Sequence, residues 1–193
     1  MRLFERSVVA VGIVGLAVIA SSLTVAGQQA GQAAPNAQMV ARGKYLVTVQ
    51  DCNGCHTPFT DKGEPDMTKM LSGHPQSAAP IVGSPRLPAG WVTAISTTNT
   101  GWSGPWGVSF TTNLTPDRGT GIGAWTEQQF INAIRQGKKG GNGRALLPPM
   151  PWRMYGQLTD DDLKSIFAYL KTIPAIQNRV PPAILAPPPP AAR

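Results

Sequence analysis

The sequence predicts a helical domain interrupted by a long glycine- and proline-rich insertion that carries a short β-hairpin. Three observations predict it. Three segments repeat apolar residues at helical spacing behind well-formed caps. The stretch from His56 to Thr120 shows no helical period. Glycine and proline, 21 and 19 of 193 residues, are too frequent for a regular sandwich or a long helical bundle.

In chain order, residues 1–26 read as an export signal. Arg2 and Arg6 make a basic start, Val8 to Ala20 is apolar, and Thr24-Val25-Ala26 supplies small residues before a cleavage point. The alternative is an uncleaved anchor, since Ser7 to Ala26 is just long enough to cross a bilayer. Either way the body of the protein is expected outside the cytoplasm, in the periplasm. Residues 27–35 form a flexible leader, residues 36–178 one domain, and residues 179–193 a Pro-rich disordered tail.

The first helix is expected from Asn36 to about Gln50. Asn36 caps it, and Met39, Val40, Gly43, Leu46 and Val47 share a face. In the insertion, "WVTAIST" and "GVSFTTN" are expected to pair as the hairpin, with "TNTGWSGPWG" between them. An irregular segment of this length is expected to wrap something that holds it. The second helix spans Glu127 to Gln136. Thr126 and Gln129 complete a capping box, Phe130, Ile131 and Ile134 form the buried face, and Gly137 stops it. The third runs from Asp160 to about Lys171. Thr159 caps it, three aspartates sit at its positive end, and Leu163, Ile166, Phe167 and Leu170 make the stripe.

The chemistry concentrates in "VQDCNGCHTPF", which holds both cysteines of the chain. Three readings compete for Cys52, Cys55 and His56. In the first, both thiols add to haem vinyl groups as thioethers and the His56 imidazole binds the iron. C-x-x-C-H is the signature of that attachment. In the second the pair is a redox dithiol or a disulfide, but the βαβ setting of such sites is absent. In the third, Cys52, Cys55, His56 and His74 hold zinc. Their spacing is poor for a tetrahedron, and adjacent Cys55 and His56 make awkward corners. The sequence favours haem, and one motif means one haem c, attached covalently through Cys52 and Cys55.

The second axial ligand decides function, because a closed iron passes electrons and an open one binds small molecules. Met150, in "LLPPMPW", is the candidate. Prolines on both sides fix the backbone, so the thioether is held at little ordering cost. Met154 is the candidate in a shifted register. His74 is the main rival, expected in a flexible, solvated loop, while Met67 and Met70 lie in a polar segment. Trp125 is a candidate contact for a haem propionate. Arg135, Lys138, Lys139 and Arg144 form the densest basic patch, a candidate ring around the haem edge.

"CNGCH", then "NLTPDRGTGIGAWTEQQFINAIRQG", then "LLPPMPWRMYGQLTDDDLKSIFAYLKTIPAI" resembles class I c-type cytochromes, in particular the haem domains serving periplasmic alcohol and sugar dehydrogenases. The likeness runs from about Asn36 to Asn178 and is thin between Phe59 and Val108. It implies an all-α cytochrome c fold whose first and last helices cross, with Gly43 against Tyr169 or Phe167. It also implies Met150 as the second axial ligand. Multi-haem members of the group repeat the attachment motif, which occurs here once.

The resulting expectation is an exported monohaem cytochrome that carries single electrons and is not an enzyme. Its partners would be redox proteins, a dehydrogenase as donor or an oxidase as acceptor, with membrane association through the N-terminus. The alternative is a haem sensor or peroxidase-like protein with an open sixth position. Lys and Arg outnumber Asp and Glu by 17 to 10, which suits an acidic partner or a membrane surface. No long basic run or nucleic-acid motif is present, so nucleic acid is set aside.

Overall fold

The computed structural model describes residues 36–78 and 85–187. The export signal or anchor expected over 1–26, the leader over 27–35 and the end of the tail beyond 187 lie outside the described residues.

The helices begin where local chemistry satisfies their free N–H groups. For α1 (Ala37–Val49), the Asn36 side chain accepts from the Gln38 N–H at 2.7 Å. The cysteine motif itself folds as a short helix, α2 (Cys52–His56). At the start of α3 (Glu127–Gln136) both halves of the capping box form. Thr126 Oγ1 accepts from the Gln129 N–H at 3.1 Å, and Gln129 Oε1 accepts from the Thr126 N–H at 2.8 Å. A short α4 (Trp152–Tyr155) was not expected. For α5 (Asp160–Leu170), the Thr159 hydroxyl accepts from the Asp162 N–H at 3.1 Å, with the three aspartates in the first turn.

The apolar stripes meet in one core. Leu46 and Val47 of α1, Phe130 and Ile134 of α3, and Leu163 and Leu170 of α5 are all buried there. The α1–α5 packing needs a glycine. A Cβ on Gly43 would lie 2.8 Å from Tyr169 Cβ and closer still to the Ser165 carbonyl. The expected contact with Tyr169 is therefore present. The Phe167 ring instead packs 5.3 Å from that of Phe130.

The domain is mostly helical but not all-α. A four-stranded antiparallel sheet interrupts it, in the order β1 (Ala94–Ile95), β2 (Gly101–Gly104), β3 (Gly107–Phe110), β4 (Ile184–Leu185). The expected pairing of 91–97 with 107–113 is corrected. Residues assigned to the connecting loop form the central strand β2, which pairs with β1 on one side and β3 on the other. The reason is the tight turn Pro105–Trp106. It brings Gly104 opposite Gly107 and so fixes the register from that end.

The tail is corrected as well. Ile184 pairs with Val108 and Leu185 with Gly107, so this part of 179–193 is a strand, not an unpacked chain. β3 offers a free edge, and extended residues after a proline pair can add to it. Gly107 permits the approach: its φ is 100°, and a Cβ there would run into the β4 backbone. Upstream, two buried asparagines fasten the chain. Asn178 Nδ2 donates to the carbonyls of Ser72 and His74 at 2.7 and 2.9 Å, and Asn113 Nδ2 donates to the Ile176 carbonyl at 2.8 Å.

Candidate haem centre

Asp51 opens the site. It takes a left-handed conformation (φ 51°), and its carboxylate accepts from the Gly54 N–H at 3.1 Å. That cap winds Cys52, Asn53, Gly54, Cys55 and His56 into one turn. The Thr57 hydroxyl donates to Asn53 Oδ1 at 2.9 Å and accepts from the Leu71 N–H at 2.9 Å, which ties the turn to the insertion.

His56 is buried, and its Nδ1–H donates to the Thr112 carbonyl at 2.8 Å. That bond fixes the tautomer and leaves Nε2 with a free lone pair, the form that binds metal. Burial also pushes the imidazole below its ordinary pKa, partly opposed by the Thr112 bond, so the ring is neutral near pH 7.

Cys52 and Cys55 form no disulfide. Burial, then the charges of Asp51 and Cys55, push the Cys52 thiol up to about 11. Burial and Asp51 raise Cys55 too. Redox-active dithiols have lowered values, so this environment argues against the dithiol reading. Zinc finds no support either. Among the described residues no three Cys, His, Asp or Glu side chains converge as a metal site.

The motif faces a cleft that encloses about 1270 Å³ of empty space, its open mouth included. Cys52, Cys55 and His56 line it, as does Met150. Its walls are mainly apolar, with Phe130, Leu163 and Ile166 from the helices and Phe110 from the sheet. Two fully buried polar atoms of lining residues have no partner, Trp102 Nε1 and Thr111 Oγ1. The residues fit a haem: two thiols, a free imidazole nitrogen, a mainly apolar cleft between them and Met150, and buried hydrogen-bonding groups lacking an acceptor such as a carboxylate.

The remaining candidates separate clearly. Met154 is 73% exposed and Met67 57% exposed. Met70 packs on the core but does not line the cleft. His74 is corrected: it is buried, not solvated. Its Nδ1 is 2.9 Å from Thr100 Oγ1 and its ring packs 4.6 Å from that of Phe110, and His74 itself does not line the cleft. Trp125 lines the cleft. Of the basic patch, Lys139 and Arg144 line the cleft, while Arg135 is paired with Asp160 at 2.6 Å and donates to the Gly156 carbonyl. Sequence reasoning missed Ser109 and Thr111, which lie in "GVSFTTN", a segment expected as a hairpin strand with no part in the site.

Fold and site together define a haem protein of the c type. The family model for cytochrome c matches residues 40–174, and the chain belongs to that family. It carries one covalent haem c, held through Cys52 and Cys55. The chain is 35% identical over 133 residues to the fructose dehydrogenase cytochrome subunit of Gluconobacter japonicus, covering 69% of this chain and 21% of that protein. It is 31% identical over 154 residues to the gluconate 2-dehydrogenase cytochrome c subunit of Pantoea cypripedii, covering 80% and 27%. To the cytochrome c subunit of the quinone alcohol dehydrogenase of Gluconobacter oxydans it is 28% identical over 147 residues, covering 74% and 24%. The chain thus spans about a quarter of the length of these relatives. Among the described residues no helix is long and apolar enough to cross a membrane.

Proposed function

We propose that this cytochrome is an exported single-electron carrier whose axial ligands are His56 and Met150. One observation carries the ligand reading: Met150 is the one methionine among the described residues that lines the cleft shared with His56. When bound, the haem supplies a one-electron ferric/ferrous couple. The protein's own groups do the rest. His56 presents Nε2 while Thr112 holds its other nitrogen. The Met150 thioether is a soft ligand that favours the lower oxidation state. Phe110, Phe130, Leu163 and Ile166 exclude water, which also favours the less charged state. Trp102 Nε1 and Thr111 Oγ1, buried without partners, would be available to hydrogen-bond a haem carboxylate.

The relatives' names point to a dehydrogenase as the electron donor. Lys139 and Arg144 at the cleft suit an acidic docking face on such a partner. Export follows from the pattern of residues 1–26.

The test is Met150→Ala in the holoprotein. The thioether-to-ferric charge-transfer absorption should vanish, the ferrous protein should gain rapid carbon monoxide binding, and the reduction potential should fall. Retained absorption would move the ligand elsewhere. Fast, tight carbon monoxide binding by the unsubstituted protein would instead favour the sensor or peroxidase-like alternative. The mass of the same purified protein reports both the single haem and the removal of residues 1–26.

A further inference from the structure

The Met150 loop, stiffened by its prolines, has few hydrogen bonds to hold it against the rest of the domain. Pro148, Pro149 and Pro151 lack N–H groups, and the Met150 N–H reaches the Leu147 carbonyl only at 3.3 Å, inside the loop itself. Among the described residues, one hydrogen bond ties 147–150 to another element. The Ser109 hydroxyl of β3 donates to the Pro148 carbonyl at 2.6 Å. Ser109 is 6% exposed and lines the same cleft. Its alternative acceptor, the Trp102 carbonyl, is 3.4 Å away. A hydroxyl has one proton, and the shorter bond takes it. Behind Ser109, the Trp106 Nε1–H donates to the same hydroxyl oxygen at 3.2 Å. That donation polarises the O–H and strengthens its bond to Pro148.

We infer that Ser109 is a positioning residue for Met150, and that the inserted sheet braces the ligand loop through the relay Trp106–Ser109–Pro148. The inference rests on the reading of Met150 as axial ligand. It gives the insertion a purpose that its sequence did not declare. The turn Pro105–Trp106 puts Trp106 two residues before Val108, and the β2–β3 register then sets Ser109 opposite Trp102. The indole reaches back over the strand to its own third neighbour. A neutral buried hydrogen bond of this kind shifts an equilibrium by about 3- to 10-fold. The affected equilibrium is the local release of the loop, which frees the thioether without unfolding the domain.

The experiment follows the thioether charge-transfer absorption of ferric holoprotein as pH is raised, until an alkaline ligand displaces the thioether. Ser109→Ala should raise the released fraction about 3- to 10-fold, lowering the displacement midpoint by about 0.5 to 1 pH unit. Carbon monoxide binding to the ferrous form should quicken by a similar factor. Ser109→Thr, which keeps a hydroxyl, should restore both. Unchanged midpoint and carbon monoxide rate in Ser109→Ala would overturn the inference while leaving ligation by Met150 intact. Absence of the absorption from the unsubstituted protein, or its survival in Met150→Ala, would overturn both. If Ser109→Ala fails to fold, Trp106→Phe carries the test. It removes the supporting N–H while keeping an aromatic ring and leaves the Ser109 hydroxyl in place, so a smaller fall in the midpoint supports the relay and an unchanged midpoint refutes it.

Discussion

His74 shows how one residue can look like a ligand in sequence and be something else in space. Its backbone N–H donates to the Thr111 carbonyl at 3.0 Å, its carbonyl accepts from Asn178, and its ring nitrogen meets Thr100. The Thr100 hydroxyl continues to Thr98 at 2.7 Å. These neighbours and Phe110 are all uncharged, so nothing in contact rewards protonation. Burial accordingly holds the imidazole below its ordinary value of 6.5. The sign follows from linkage. Below about 6.5 the unfolded chain takes up a proton that the folded chain refuses, so stability falls as pH drops toward the lowered folded value. Chemical denaturation of the holoprotein between pH 7 and 5 should show this loss, of which His74 accounts for at most one proton of slope. His74→Gln should flatten the slope by that amount. A variant with the unaltered slope would assign the acid sensitivity to other groups.

At the scale of elements, legibility followed the range of the forces involved. Helix positions were readable because caps act within a few residues: Asn36, Thr126 with Gln129, and Thr159 each lie beside the N–H groups they satisfy. Cys52, Cys55 and His56 were legible because the attachment chemistry fixes their spacing. Met150 was legible as a candidate because flanking prolines constrain it, and the cleft brings it to the same space as His56. The sheet was not legible. Its central strand is Gly-Trp-Ser-Gly, with little intrinsic strand preference, and its pairing is set by a two-residue turn and by a partner more than seventy residues away in Ile184–Leu185. The burial of His74 has the same origin, since Asn178 grips the His74 carbonyl from a distant part of the chain. The insertion could be recognised as non-helical. Its role as the wall and brace of the cleft depends on contacts between residues remote in sequence, such as Ser109 with Pro148.

The described domain sets basic side chains beside an apolar cleft, and both properties make predictions. Lys139 and Arg144 line the cleft, and exposed charges are screened over about 10 Å at 0.1 M salt. Electron transfer with an acidic redox partner should therefore slow as ionic strength rises, and Arg144→Gln should weaken that dependence. Rates indifferent to salt would remove the steering role. The cleft bears more heavily on folding. Fully burying one large apolar side chain is worth roughly 1.5–3 kcal/mol, and a domain's entire stability is about 5–15 kcal/mol. Phe110, Phe130, Leu163, Ile166 and Leu170 all face a cleft of about 1270 Å³. Phe130, Leu163, Ile166 and Leu170 are also buried by helix contacts, so an empty cleft costs them the packing on one side only, a sizeable part of that margin when summed with Phe110. A chain with Cys52→Ala and Cys55→Ala cannot form the two thioethers. Purified without bound haem, it should show weak helical circular dichroism and a broad, non-cooperative thermal profile, where the holoprotein unfolds sharply. A sharp transition near the holoprotein's temperature would mean that α1, α3 and α5 sustain the fold by their own contacts, with the cleft acting only as a receptacle.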